Sequence, residues 1–164
     1  MPIRPYQTSD ALQLLAIFNS AVHTTAAANY SPMQLNAWAP PDRDQSAWAA
    51  HMQAIKPWVL EQDAIALAYA SLDAQGYIDH FFVRGGLARQ GLGSQLMAHL
   101  LVHAHAQQVP LLSADVSRTA QPFFARHGFV VMEQRNPVRA GVVIPNALMH
   151  KQLMPHADAA MSST

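Results

Sequence analysis

Asp79 stands in the run Tyr77-Ile78-Asp79-His80-Phe81-Phe82-Val83 as its only carboxylate, among aromatic and apolar neighbours. Such a group can accept a proton from an attacking nucleophile, and burial there would raise its pKa. The competing role is a structural hydrogen bond to a loop, and the residues alone leave the two open. Strand alternation predicts Tyr77, Asp79 and Phe81 on one face and Ile78, His80 and Phe82 on the other. Further on, "ARQGLGSQLM" places Gly91 and Gly93 ahead of the apolar positions Leu96, Met97, Leu100, Leu101 and Ala104. Glycines expose backbone N–H groups, and a helix N-terminus behind them favours an anion. The N–H groups from Arg89 through Gln90, Gly91, Leu92, Gly93 and Ser94 can converge on one. A tight strand-to-helix turn with no ligand is the other reading. A P-loop is excluded, because no lysine follows either glycine, and a dinucleotide fingerprint fails because its third glycine position is Leu96.

His99 and His103 sit four apart on the same helix, a metal-ligand spacing. They also continue a polar row with Gln95 and Gln107, so a solvated face and no metal are expected. The chain has no cysteine, which rules out disulfides, thiolate metal sites and a thiol nucleophile, and fits a reducing, cytoplasmic setting. Lys plus Arg number 10 and Asp plus Glu 10, with no basic run, so nucleic acid is not an expected partner. No signal peptide is visible in "MPIRPYQTSD", and no apolar run approaches the ~20 residues of a membrane span.

The elements that must position these groups are a mixture of short strands and helices. "IRPY" predicts an edge strand, and Thr8, Ser9 and Asp10 offer a start for a helix over "ALQLLAIFNSAV". Ser31, Pro32 and Gln34 form a capping-box start for a second helix, ended by Pro40 and Pro41. Asp44 caps a third, "DQSAWAAHMQAI". "PWVLEQ", "IALAYASL" and "GYIDHFFV" read as strands, as does "PLLSADV" after the glycine turn and its helix. "TAQPFFARHGF" is a short helix stopped at Gly128, and "VVMEQRNPV" with "VVIPNALMHKQL" reads as a closing strand pair.

"DHFFVRGGLARQGLGSQLM", followed by "SADVSRTAQPFFARHGF", resembles the GNAT superfamily of acetyl-CoA-dependent N-acetyltransferases. "YSPMQLNAWA", "GYIDHFFV" and "PFFARHGF" resemble its bacterial YafP-like branch, and the likeness runs to about Leu153. It implies an α/β GNAT fold, a mixed central sheet of about seven strands flanked by helices. Residues 1–154 would form the single domain and 155–164 a flexible tail. The resemblance implies acetyl-CoA as cosubstrate, no metal, and a pyrophosphate at the glycine turn, with Arg89 either pairing a phosphate or solvated. Val83 takes the strand-end position, and the amide of Phe81 or Phe82 would meet the acetyl carbonyl. Ser117 stands where the family has an asparagine on the pantetheine arm. Phe124 stands where a tyrosine usually protonates the departing thiolate, so the usual acid is missing. Tyr77 replaces the family's common glutamate and could orient substrate, donate a proton or simply pack; Asp79 is the nearest carboxylate on the face that alternation gives it. His23, Tyr30, Trp38 and Trp48 come from helices that wall the acceptor cleft in this family. The implied activity is acetyl transfer to a primary amine of a small molecule, by direct attack through a tetrahedral intermediate. A non-catalytic acyl-CoA-binding or regulatory module, acetylation of a protein partner, and a homodimer stay open.

Overall fold

A computed structural model describes residues 2–154; the expected tail at 155–164 lies outside the described residues. Strand β1 (Ile3–Pro5) forms an edge, and β2 (Trp58–Gln62) and β3 (Ile65–Ala70) follow it antiparallel. Asp63 and Ala64, both at positive φ, turn β2 into β3. Next come β4 (Tyr77–Ile78) and β5 (Phe81–Val83), two halves of the strand expected over "GYIDHFFV". Strand β5 pairs with β3, whereas β4 pairs in parallel with β6 (Leu111–Ser117). Strand β10 (Asn146–Gln152) and the outer β7 (Val130–Arg135) complete the order. With β4 and β5 taken as one interrupted strand, this is a mixed seven-stranded arrangement. The expected closing pair is modified: a hairpin of β8 (Val138–Arg139) and β9 (Val142–Val143) interrupts it, turned by Ala140 and Gly141 at positive φ.

Helices cover both faces because the strands are apolar on both. Leu60, Ala68 and Ala70 face one core with α4 (Leu92–Ala106) and α5 (Gln121–Arg126). Val59, Ala66 and Tyr69 face the other, with α1 (Ala11–Ser20), α2 (Pro32–Trp38) and α3 (Gln45–Ile55). Leu14, Leu15 and Phe18 on α1, with Ala21 and Val22 just after it, are all buried. The capping box forms: Gln34 N–H donates to Ser31 Oγ, and Ser31 N–H donates to Gln34 Oε1. Asp10 does something different from capping α1. It is buried, takes a two-pronged bond from Arg4 at 2.8 Å per contact, and accepts from the Gln7 N–H. No helix among the described residues is long and apolar enough to cross a membrane.

The break between β4 and β5 organises the site. Ser71 Oγ accepts from the N–H groups of both Asp79 and His80, at 3.2 and 3.0 Å, where a regular ladder would offer a carbonyl. An irregularity of this kind resets the strand's alternation. Ile78, Phe81 and Val83 therefore pack on the α4 side, while Tyr77, His80 and Phe82 line the opposite one. The alternation expected from the sequence, with Phe81 beside Tyr77 and Phe82 beside Ile78, is corrected accordingly. Beyond Ile78 the pairing with β6 stops, and β5 and β6 diverge into a cleft.

Candidate active site

One cavity of about 550 Å³ occupies this cleft and reaches the start of α4. Arg89 and Gly91 both adopt positive φ, at 65° and 81°, which turns the chain sharply into the helix. Gly91 is the N-cap, and a Cβ there would meet no atom within 4 Å, so backbone conformation is what favours glycine. Gly93 has another reason. A Cβ would lie 3.1 Å from the Phe123 ring, so glycine lets α5 close over α4. The first N–H groups of this fifteen-residue helix lack intrahelical carbonyls and open on the cavity. Arg89, Gly91, Leu92, Gly93 and Ser94 all line it; Gln90 does not, because it sits exposed on the outside of the turn. Arg126 lines it too, adding a second cation that the motif did not reveal. Ser94 Oγ is 3.3 Å from His127 Nε2. Donors at a helix start, two arginines and an elongated cleft form a set that fits the pyrophosphate of coenzyme A.

Along β5 the ladder decides which amides are free. Ser71 N–H donates to His80 O and Arg84 N–H donates to Leu67 O. Donors in an antiparallel ladder alternate sides. With Tyr69 opposite Phe82, the Phe82 amide therefore points into the sheet, and those of Phe81 and Val83 point into the cleft. Phe81 and Phe124 pack edge to face at 5.5 Å, and Phe124 is 3% exposed against Phe129. Ser117 lines the cleft and accepts from Ala120 N–H through its hydroxyl.

A second cavity, of about 880 Å³, lies across the sheet toward α2 and α3. The two share Trp38, Asp79, Phe82, Asp115 and Ser117 as walls. Asp79 is at this junction. Its carboxylate bonds His51 Nε2 on α3 at 2.9 Å, and its side chain is 36% exposed, so the burial expected of it is not found. His80 follows on the side of the second cavity, with Tyr69 Oη 3.0 Å from its Nδ1. Burial pulls the His80 imidazole down to about 4, although Asp79 acts in the opposite sense. It is neutral at neutral pH. Burial also pushes the Tyr69 phenol far up, so it keeps its proton. Donor atoms of His51, Asp79 and His80 lie within 4.8 Å of one another. This cluster of metal-ligating types joins α3 to the strand break, far from the helical pair singled out in the sequence.

Tyr77 donates its hydroxyl to Asp115 Oδ2 at 3.0 Å, and Arg135 Nη1 meets the other oxygen at 2.9 Å. Burial and the Asp115 hydrogen bond push the Tyr77 phenol well above its ordinary range. Tyr30 and Trp38 both line the second cavity, packed edge to face at 5.6 Å. The Tyr30 hydroxyl is engaged by the backbone: it donates to Pro145 O and accepts from Arg118 N–H. His23 is corrected. It lines neither cavity, and its Nε2 is 2.7 Å from Ala39 O at the end of α2. His99 and His103 are corrected as well. Both are half-buried against Trp58, with ring centroids 4.5 and 4.4 Å away, because α4 packs over β2 there. Sequence reading missed His51, Arg43, Arg139 and Asp115. None belongs to a local motif, and only the fold brings them to β4 and β5.

The Acetyltransferase (GNAT) domain family matches residues 26–151. The curated protein "Uncharacterized N-acetyltransferase YafP" of Escherichia coli (strain K12) is 36% identical over 147 residues, covering 90% of this chain and 93% of that one. A GCN5-related N-acetyltransferase structure from Rhodopseudomonas palustris superposes with TM-score 0.88 at 28% identity, over 93% of this chain and 95% of that one. The structure of YncA, a putative acetyltransferase from Salmonella typhimurium solved with its cofactor acetyl-CoA, gives TM-score 0.68 at 22% identity and covers 96% of each chain. The chain belongs to the GNAT acetyltransferases, as a YafP-like member of that family.

Proposed function

We propose that the protein transfers the acetyl group of acetyl-CoA to a primary amine of a small molecule. The observation that carries this reading is the junction of the two cavities at Asp79 and Phe82. A thioester in the first cavity and an amine in the second would meet there. The α4 N-terminus, with Arg89 and Arg126, binds the pyrophosphate. The Val83 amide and the Ser117 hydroxyl hold the pantetheine arm. The Phe81 N–H, the free amide nearest the junction, donates to the acetyl oxygen as negative charge develops on it.

Asp79 accepts the amine proton directly or through one water, and His51 orients the carboxylate. His51 and Asp79 bond each other, so the cluster acts as an acid–base pair rather than an ion cage. Nitrogen bonds to the carbonyl carbon and the carbonyl electron pair moves onto oxygen; the tetrahedral intermediate then collapses, and the carbon–sulfur bond breaks with its electron pair leaving on sulfur. Phe124 has no proton to give, so the departing sulfur is protonated by water in the open cleft. Tyr77 is held by Asp115 and forms a wall.

Thermal shift with acetyl-CoA, followed by thiol release over a panel of small amines, tests this. Binding should raise the melting temperature, and thiol should appear only when an amine is present. Binding without thiol release by any amine would overturn the catalytic reading. Release with protein amines alone would overturn the small-molecule reading.

A further inference from the structure

The second cavity contains two cations that no described residue pairs with. Arg43 lies over the Phe18 ring at 5.2 Å and the Trp48 ring at 5.7 Å, and donates through Nη2 to Trp38 O at 2.8 Å. Its Nε is buried without a hydrogen-bond partner among the described residues. Arg139, from the β8–β9 hairpin, lines the same cavity. No ion pair among the described residues involves Arg43 or Arg139. Arg135, which lines the same cavity, differs: it is paired with Asp115 and Glu133. Burial, and then the Arg139 charge, lower the Arg43 pKa, as two cations near one another on an apolar floor must.

This arrangement has a polarity. Arg43 sits above Phe18, whose ring centroid is 5.8 Å from that of His80, and Asp79 adjoins His80. A cationic group and an anionic group thus border one cavity, linked by the Phe18 and His80 rings. A ligand that satisfies both carries an amine and an anion on one small molecule. Guanidinium groups match carboxylate geometry, and charge-assisted bonds to them are among the strong ones.

We propose that the acceptor is a primary amine that also bears a carboxylate, an amino acid or a close analogue, with Arg43 and Arg139 holding the carboxylate and Asp79 facing the amine. The proposal rests on the small-amine reading above. The aromatic rings of Phe18, Trp38 and Phe82 receive the rest of the molecule, and an apolar side chain suits them. The cation–π contacts alone would fix Arg43 as packing, but they leave the buried Nε and Arg139 unaccounted for.

Matched pairs test it: phenylalanine against phenethylamine, and tryptophan against tryptamine, as acceptors for thiol release from acetyl-CoA by the wild-type protein. Each amino acid should have a kcat/KM at least about tenfold above its decarboxylated partner, the size expected of a charge-assisted contact. Arg43→Gln should raise KM for the amino acid about 10- to 100-fold more than for the amine, collapsing that preference. Arg139→Gln should act in the same direction. Equal or better use of the decarboxylated amines overturns the proposal and leaves acetyl transfer to small amines standing. So does an Arg43→Gln variant that weakens both members of a pair alike. Thiol release with peptide or protein amines alone would instead sink the underlying reading, and this proposal with it. The wild-type comparison needs no variant, so it decides even where Arg43→Gln fails to fold.

Discussion

Asp79→Asn keeps the side chain's shape and removes its charge, and the geometry separates what this does to stability from what it does to rate. The His51 and Asp79 side chains are 47% and 36% exposed, so their pairing contributes at most about 1 kcal/mol to folding. In a domain of this size that corresponds to a fall of about 2–4 °C in melting temperature. Loss of a general base lowers rate by ~10²–10⁴. At ~1.36 kcal/mol per decade, that is about 3–5 kcal/mol of barrier. Turnover should therefore collapse in a protein that melts almost normally. Acetyl-CoA affinity, measured by titration calorimetry, should stay near wild type because the α4 turn is untouched. The rate deficit should shrink as pH rises and free amine becomes common. His51→Gln should lose less than Asp79→Asn, and the double variant should be no worse than Asp79→Asn, since the two act as a unit. A folded Asp79→Asn variant with ordinary turnover refutes the base role. Weak acetyl-CoA binding in that variant would assign the carboxylate to the first cavity instead.

Gly91→Ala, at φ 81°, should weaken acetyl-CoA binding with a folding cost of about 1–2 kcal/mol, whereas Gly93→Val should also loosen α5, because its side chain would press on Phe123; unchanged calorimetric affinity in the first variant would remove the turn from the cofactor site. The neutral, half-buried His80 faces Asp79, His51, Tyr69, Arg43 and Arg139. Its folded pKa of about 4 lies below the unfolded value of 6.5, so the unfolded chain binds more protons between them. Stability should fall as pH drops through that window, and the slope should flatten in His80→Gln; an identical slope in both proteins would contradict this. His99→Ala with His103→Ala should leave turnover and metal content unchanged but lower the melting temperature, because packing on Trp58 is lost, each aromatic pair being worth about 0.5–1.5 kcal/mol. A stoichiometric metal lost from that double variant would overturn the assignment.

Local sequence signals carried much of the architecture. Gly91, the Ser31–Gln34 box, the Asp44 cap and the stop at Gly128 act through neighbours a few residues away, so their meaning was legible in the chain. The break at Asp79 was not. It depends on Ser71, eight residues earlier on another segment, supplying one oxygen for two N–H groups. Alternation therefore assigned Phe81 and Phe82 to the wrong faces. The histidine pair misled for a related reason: a polar row on a helix looks solvated until Trp58 from β2 is laid against it. Arg43 and Arg139 were invisible because their proximity exists only after α2, α3 and the β8–β9 hairpin close around the sheet.

The sheet divides the interior into two cores that meet only through strand side chains of opposite direction. That partition bears on how such a protein can diverge. Replacements of Phe18, Trp38 or Arg43 alter the packing against α1–α3, while Leu96, Met97 and Leu100 continue to seat α4 on the other side. The walls of the second cavity can thus be varied by mutation while the α4 half keeps its shape. A designer has the same freedom: a library confined to α2, α3 and the Ala140–Gly141 hairpin would vary mainly the walls of the second cavity. Variants that lose affinity for acetyl-CoA should be rare in it, and those that do should map to Trp38, the residue of the shared wall that such a library reaches.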